Sequence, residues 1–511
     1  MTKFSRRFVI VLPLFFSSLA QSARLSSHKA IDNRVNPRLA LPVSAPLRHQ
    51  GRPAPGAQAG SQIEALGQLR QIAPLGASAA DEIEFIEQSE QIFQGGLPRD
   101  NPASEPAVSA EPGFPSDEQI MSDLNIGGIT NAEREKKVIA HFQKLGATGA
   151  PIHVEEGEAP PLNVYNTVII QNAGAPGKNN IYVVKKGKTD RKVIDGGHMD
   201  RVGGGSHGII DNYSGSLAVR YDYEALRAVE TDATIVFINF AREEEGLVGS
   251  RAWLNAFPAS QLSKFDAMQN LDTEGLAGLY ILENGTTPKL RDMAMEIARK
   301  LGIEASLQEI RGGDSDHTLF RRVGIPALML FQGTEEDIFG KIHSENDNIS
   351  NFLLDHYKNV LRLSRANLKE LASKPQREAI TFVSGAADYA KVPELAAKED
   401  FTGLRKVRAQ IDRAAYKTAD PMLRQQLIRA KLQIAEMLDA DVRFKGYNEL
   451  IAARALARSG RHAEAARKYE QAAKFYRAVA ARGHGEADYF LRLAVEERSL
   501  TDLTTPRLII N

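Results

Sequence analysis

Between residues 130 and 375 the spacing of apolar positions changes repeatedly, and each change predicts an element. In "TNAEREKKVIAHFQKLGA" Val138, Phe142 and Leu145 recur at helical spacing, and Thr130 stands three residues before Glu133, the spacing of a capping box. Ordered structure is therefore expected to begin with a helix there. Short β-branched runs follow, "VYNTVII", "IYVVKK" and "KVIDGG". Next come a predicted helix from about Ser216 to Val229, the strand "ATIVFINF", a helix from near Leu247, the strands "FDAMQNLD" and "LYIL", a helix from about Pro288 to Leu301, and the strand "ALMLFQ". Strands alternating with helices predict a largely parallel or mixed sheet between helical layers, a three-layer α/β/α domain over residues 116–375. After Pro375 strand-forming runs nearly vanish and Ala, Arg, Leu and Glu dominate, which predicts a separate all-α extension over 376–511.

The N-terminus follows a different rule. Lys3, Arg6 and Arg7 precede an apolar run from Phe8 to Phe16, and the small residues of "SSLAQSA" come next, the pattern of a signal peptide over residues 1–23. The run is short for a bilayer span, so an exported protein, periplasmic or extracellular, with no stable membrane span after cleavage is expected. Residues 24–115 are rich in Pro, Ala, Gly, Ser and Gln and read as a linker or pro-segment. Composition narrows the chemistry. The 511 residues carry 64 Lys+Arg against 64 Asp+Glu, so no global field favours nucleic acid. There is no cysteine, so an exported chain of this kind gains nothing from disulfides and any metal site must use His and carboxylate.

The polar clusters fall at the carboxyl ends of the predicted strands. His198 and Asp200 follow "KVID", Glu243 and Glu244 follow "ATIVFINF", Asp272 follows "FDAMQNL", and His343 lies beyond "ALMLFQ". In open α/β sheets that edge forms the ligand crevice. Imidazoles and carboxylates gathered in one crevice call for a divalent cation among them. His198, Asp272 and a shared Asp211 would hold one ion, and Glu244, His343 and the same Asp211 the other, each with an open position. Glu243 would serve as general base toward a water bridging the ions, and Asp200 would orient His198.

The segments "GGHMD", "IIDNYSG", "REEEGLVGS", "NLDTEG", "GGDSDHTLF" and "IHSENDN", in this order, resemble the co-catalytic di-zinc aminopeptidases, whose zinc-exopeptidase fold also serves glutamate carboxypeptidases and glutaminyl cyclases. The resemblance covers about Ser116 to Lys374. It implies an exported metallo-exopeptidase, most of all an aminopeptidase acting on peptides, with two Zn2+ per chain. By the same resemblance His198, Asp211, Glu244, Asp272 and His343 are metal ligands, Glu243 the catalytic base and Asp200 the carboxylate behind His198. The family often has Asp-Asp with a cis peptide at the bridging position, where this chain has Asp211-Asn212. Some relatives polarise the substrate with a tyrosine upstream of "SDH", where this chain has Arg311, Gly312, Gly313 and Asp314.

Rival readings remain. Gly204 to Gly208 spell G-x-S-x-G, which would make Ser206 a nucleophile, yet strand and helix do not flank it as a nucleophile elbow requires. A glutaminyl cyclase, a carboxypeptidase using Arg311, Arg321 or Arg322 for a terminal carboxylate, and a non-catalytic binding protein share the fold. The extension offers a surface for a protein partner. His317 either lines the pocket or makes a structural hydrogen bond. His207 is expected as an exposed loop residue, and Asp347 as the start or cap of the next helix.

Overall fold

The structure, a computed structural model, describes residues 114–175, 177–203, 205–377, 389–478 and 484–504. The expected signal peptide and nearly all of the 24–115 segment lie outside the described residues. The capping box forms as its spacing predicts: Thr130 accepts from the Glu133 amide, the Glu133 side chain reaches back, and helix α2 runs Asn131–Lys144. It is not the first element, because helix α1, Asp117–Leu124, precedes it with Ser116 as its cap. Only Ile120 and Leu124 of α1 are buried, too short a stripe to stand out in the sequence.

Nine strands form one sheet in the order β1-β2-β3-β5-β4-β6-β9-β7-β8. They are β1 Ile152–Val154, β2 Val168–Ala175, β3 Lys178–Lys185, β4 Lys192–His198, β5 Thr234–Phe240, β6 Phe265–Leu271, β7 Tyr280–Leu282, β8 Ser306–Gln308 and β9 Ala327–Phe331. The central β5, β4, β6 and β9 are parallel to one another, while β3 joins β5 and β7 joins β9 antiparallel, so the sheet is mixed. The two edge strands, three residues each, had no visible alternation in the sequence. Both β5 and β6 are buried along their whole length, and β5, TIVFINF, reads as a nearly continuous apolar run.

Helices cover both faces. On one, Ile235 and Phe237 of β5 pack with Phe142 of α2, Leu217 of α3 (Ser214–Leu226), Leu290 of α5 (Pro288–Lys300, after α4, Val248–Asn255) and Leu361 of α8. Helix α8 spans Leu354–Ser373 and follows the short α6, His317–Arg322, and α7, Glu335–Lys341. On the other face, Val236, Ile238 and Phe240 pack with Trp253 of α4 and Phe320 of α6.

The helical extension comprises α9 Phe401–Lys417, α10 Pro421–Arg458, α11 His462–Ala478 and α12 His484–Thr504. Although its composition sets it apart, it shares this second core through Phe444, Tyr447 and Leu450 of α10. Arg322 of α6 fastens the contact. It pairs with Asp441 at 3.0 Å and Glu399 at 3.0 Å, and its guanidinium lies 4.5 Å from the ring centroid of Phe401 and 4.7 Å from that of Phe444. Among the described residues no helix is long and apolar enough to cross a membrane.

Candidate metal centre

Three neighbouring parallel strands, β5, β4 and β6, end at one edge of the sheet, with adjacent strands about 4.8 Å apart. Side chains leaving those ends therefore meet. His198 is the last residue of β4, Glu243 and Glu244 stand just past β5, and Asp272 follows β6 directly. Asp211 comes from the turn between β4 and α3, and His343 from the turn after α7.

The sequence-predicted residues converge on Asp211. His198 Nε2 lies 3.1 Å from Asp211 Oδ1 and 3.4 Å from Asp272 Oδ1, while His343 Nε2 lies 3.1 Å from Asp211 Oδ2 and 3.0 Å from Glu244 Oε2. Within each triad, His198–Asp211–Asp272 and Asp211–Glu244–His343, the candidate ligand atoms lie within 4.8 Å of one another. Asp211 is common to both, one oxygen facing each imidazole.

The donor set suits cations. Carboxylates outnumber imidazoles in a buried space, and the second oxygen of Glu244, Oε1, is buried without a hydrogen-bond partner. Burial opposes a charge on His198, yet the carboxylates of Asp272 and Glu243 push its imidazole well above the usual range. His343 is likewise raised to about 10, against burial, by hydrogen bonds to Asp211 and Glu244. Burial, and then the charge of Asp211, raises Glu244 to about 7. These are the signs of a site built for positive charge.

Glu243 lies beside the triads, with Oε2 3.8 Å from His198 Nε2. Burial, with Glu244 and Asp272 adding like charge, pushes its carboxyl well above the usual carboxylate range. Asp200 lies with Oδ1 3.5 Å from His198 Nδ1 and accepts from the amides of Glu243 at 3.1 Å and Glu244 at 3.3 Å. One carboxylate thus ties the exit of β4 to that of β5.

The turns are under backbone constraint. Arg242, Thr273 and His343 adopt positive φ, at 60°, 65° and 58°, each at or beside a converging residue. Non-glycine residues in that region concentrate at functional sites. The Asp211–Asn212 peptide is cis. Asn212 donates to the Leu271 carbonyl at 2.8 Å and accepts from Gly215 at 3.0 Å and Thr273 at 3.2 Å, a donor-and-acceptor role that an ionised Asp could not fill. Gly215 is needed for close approach: a Cβ there would lie 2.3 Å from the Leu271 carbonyl oxygen.

Other expectations change. Asp347 caps no helix; it is buried and accepts from the amides of Ile210 at 2.7 Å and Asp211 at 3.4 Å and from Ser206 Oγ at 3.0 Å. A local cap signal could not show a contact made 137 residues away. Ser206, buried and bonded to Asp347, belongs to this support rather than to a nucleophile elbow. His207 is half-buried against Gly128, and His317 is fully buried and does not line the pocket.

Above the cluster opens a pocket whose apolar wall is Leu282, Ile310, Met329, Ile338, Phe339 and Ile342. None of Arg311, Arg321 and Arg322 lines it; its arginine is Arg454 of α10, beside Tyr447 of the same helix. Both were missed in the sequence, since they lie on a helix of undistinguished composition. The Tyr447 hydroxyl is 3.5 Å from Glu243 Oε1, and burial, with Glu243 and Glu244 adding, raises its phenol well above the usual range.

The family model for peptidase family M28 matches residues 180–368. Leupeptin-inactivating enzyme 1 of Streptomyces exfoliatus is 30% identical over 32% of this chain and 38% of its own length. Aminopeptidase YwaD of Bacillus subtilis is 27% identical over 46% of this chain and 53% of its own. A solved structure of a zinc aminopeptidase from Bacillus subtilis is 27% identical, covers 38% of this chain and 50% of that one, and has a TM-score of 0.36. The chain thus spans about half or less of the length of these relatives. The matched segment runs from β3 into α8 and holds all the converging residues, and over that segment the chain is similar to peptidase family M28.

Proposed function

We propose that this chain is an exported metallo-aminopeptidase that binds two zinc ions and removes N-terminal residues, preferentially apolar ones, from peptides. The observation that carries the proposal is the pair of triads sharing Asp211, with Glu243 beside them at the floor of an apolar pocket. His198, Asp211 and Asp272 would hold one ion and Asp211, Glu244 and His343 the other. When bound there, zinc supplies Lewis acidity toward the scissile carbonyl and the attacking water. Glu243 accepts a proton from that water and passes it to the leaving amine, a task suited to a carboxylate of raised proton affinity. Asp200 holds the His198 ring and the start of the Glu243–Glu244 turn. The apolar wall receives the first side chain, and the acidic floor complements a free α-ammonium. The names of the Bacillus relative and of a probable leucine aminopeptidase of Trichophyton verrucosum support this reading. Export rests on the charged, apolar and small-residue pattern of residues 1–23.

Arg454 on the pocket wall favours a second reading, a carboxypeptidase that pairs it with a terminal carboxylate. A panel of N-blocked, C-blocked and N-terminal-glutamine peptides, with and without chelator, separates the two. Expected are cleavage only from free N-termini, fastest after Leu, its loss on chelation, and its return with zinc. Glu243→Gln should retain two ions per chain and lose about 10²–10⁴ in kcat. Cleavage from the C-terminus, cyclisation of glutamine, or full turnover by Glu243→Gln would each overturn the proposal.

A further inference from the structure

The C-terminal extension is built into the pocket, and its contribution there is chemical. Peptide hydrolysis puts negative charge on the former carbonyl oxygen, beside a cluster already rich in carboxylates, so a neutral hydrogen-bond donor aimed at that oxygen is valuable. Among the pocket-lining side chains, the groups that can donate are those of Thr273, His343, Tyr447 and Arg454. Thr273 and His343 are already engaged, and Arg454, a cation rather than a neutral donor, is engaged through Nη2. Thr273 Oγ1 donates to Asp272 at 3.2 Å, His343 Nε2 faces Asp211 and Glu244, and the Arg454 guanidinium donates to the Gly312 carbonyl at 2.9 Å. The Tyr447 hydroxyl is weakly held: its hydrogen bond to Glu243 Oε1 is 3.5 Å long, well beyond the 2.5–3.0 Å of a good O–H···O bond.

Its position is nonetheless fixed. Tyr447 is 6% exposed and packs in the core that α10 shares with β5, α4 and α6. One residue along, Asn448 abuts Gly246 just after the Glu243–Glu244 turn; a Cβ on Gly246 would lie 2.9 Å from its Oδ1. On the far side the Arg311–Asp314 loop is held against the extension, for a Cβ on Gly312 would lie 2.9 Å from the ring of Tyr489. That loop carries no phenol of its own, and the phenol that reaches the pocket comes from α10.

We propose that Tyr447 is a catalytic residue whose hydroxyl hydrogen-bonds the scissile carbonyl oxygen as it becomes a tetrahedral alkoxide. The assignment rests on the peptidase reading above. Water oxygen bonds to the carbonyl carbon while the π pair moves onto the oxygen held by Tyr447. Glu243 takes the water proton and delivers it to the departing nitrogen, the C–N bond breaks, and the carbonyl re-forms. Tyr447 keeps its own proton throughout.

The test is Tyr447→Phe in the full, zinc-loaded chain, assayed on a leucyl peptide amide, with the same change at the exposed Tyr416 of α9 as control. Tyr447→Phe should lower kcat about 10²-fold with KM within about threefold, as for loss of a single oxyanion donor. Affinity for a tetrahedral phosphonate analogue should fall in parallel, while affinity for free leucine, melting temperature and metal content hold. Tyr416→Phe should keep its kcat. Wild-type turnover by Tyr447→Phe, a rise in KM alone, equal loss of analogue and leucine binding, or an equal loss of kcat in Tyr416→Phe would overturn the role while leaving chelator-sensitive hydrolysis intact. Absence of that hydrolysis in the unaltered chain would instead overturn the peptidase reading, and this role with it.

Discussion

Asp347 shows how a single residue can support the candidate metal centre from outside its two triads. Its carboxylate receives the amides of Ile210 and Asp211, so the backbone that presents the shared Asp211 is held from behind. Asp200 does the same for His198 and the Glu243–Glu244 turn. Asp347→Ala would leave the Ile210 amide and the Ser206 hydroxyl without their buried acceptor, a cost of about 1–3 kcal/mol. The expected outcome is zinc affinity weaker by about 10–100-fold, the range for loss of an outer support, measured by competition with a chromophoric chelator. Unchanged affinity would show that the Asp211 turn holds itself. None of this support was readable in "IHSENDN", because a short acidic segment looks the same whether it caps a helix or crosses the fold to another loop.

Among the elements, α10 decides most. A long helix of mixed composition ends up as part of the second layer and as a wall of the pocket because Phe444, Tyr447 and Leu450 lie on its buried face. Arg322 and Asp441 make the junction specific, since both are almost wholly buried and pair at 3.0 Å, with Lys445 on the second oxygen of Asp441 at 2.7 Å. Removing Arg322 leaves the buried Asp441 with Lys445 alone, so Arg322→Ala should destabilise the fold by about 1–3 kcal/mol in urea unfolding. Turnover should fall as well, because Tyr447 depends on the same junction. An Arg322→Ala protein as stable as the parent would mean that the apolar contacts alone dock the helix.

At the scale of the whole molecule, stability depends on acids buried beneath the sheet. Asp222 of α3 and Asp195 of β4 are both fully buried, and Asp222 faces Ser364 and Arg365 of α8, with the charge of Lys369 also acting on it. Burial raises Asp222 to about 7, with Arg365 opposing, and burial followed by the charge of Asp222 raises Asp195. The unfolded chain releases the Asp222 proton near its ordinary value of about 4, whereas the folded chain keeps it until about 7. Its contribution is therefore full below about 4 and is lost as pH rises through 7. Asp222→Asn should flatten the fall in melting temperature between pH 5 and pH 8, measured by calorimetry; an unaltered slope would place its origin elsewhere.

The order of the main strands and helices from Thr130 to Gln332 was legible because it rests on local physics: apolar period, a capping box, and β-branched runs buried on both faces. The polar segments at strand ends were legible for the same reason, since a parallel sheet sends its strand exits to one edge wherever the helices pack. Short elements escaped, as α1, β1, β8 and α6 bury too few residues to set a period. Only the tertiary structure decided that Asp211 stands between two imidazoles, that Asp347 supports it from behind, and that a tyrosine and an arginine from beyond residue 440 line the pocket. Such contacts join segments far apart in the chain and follow from which faces pack together, and no local pattern of residues encodes that.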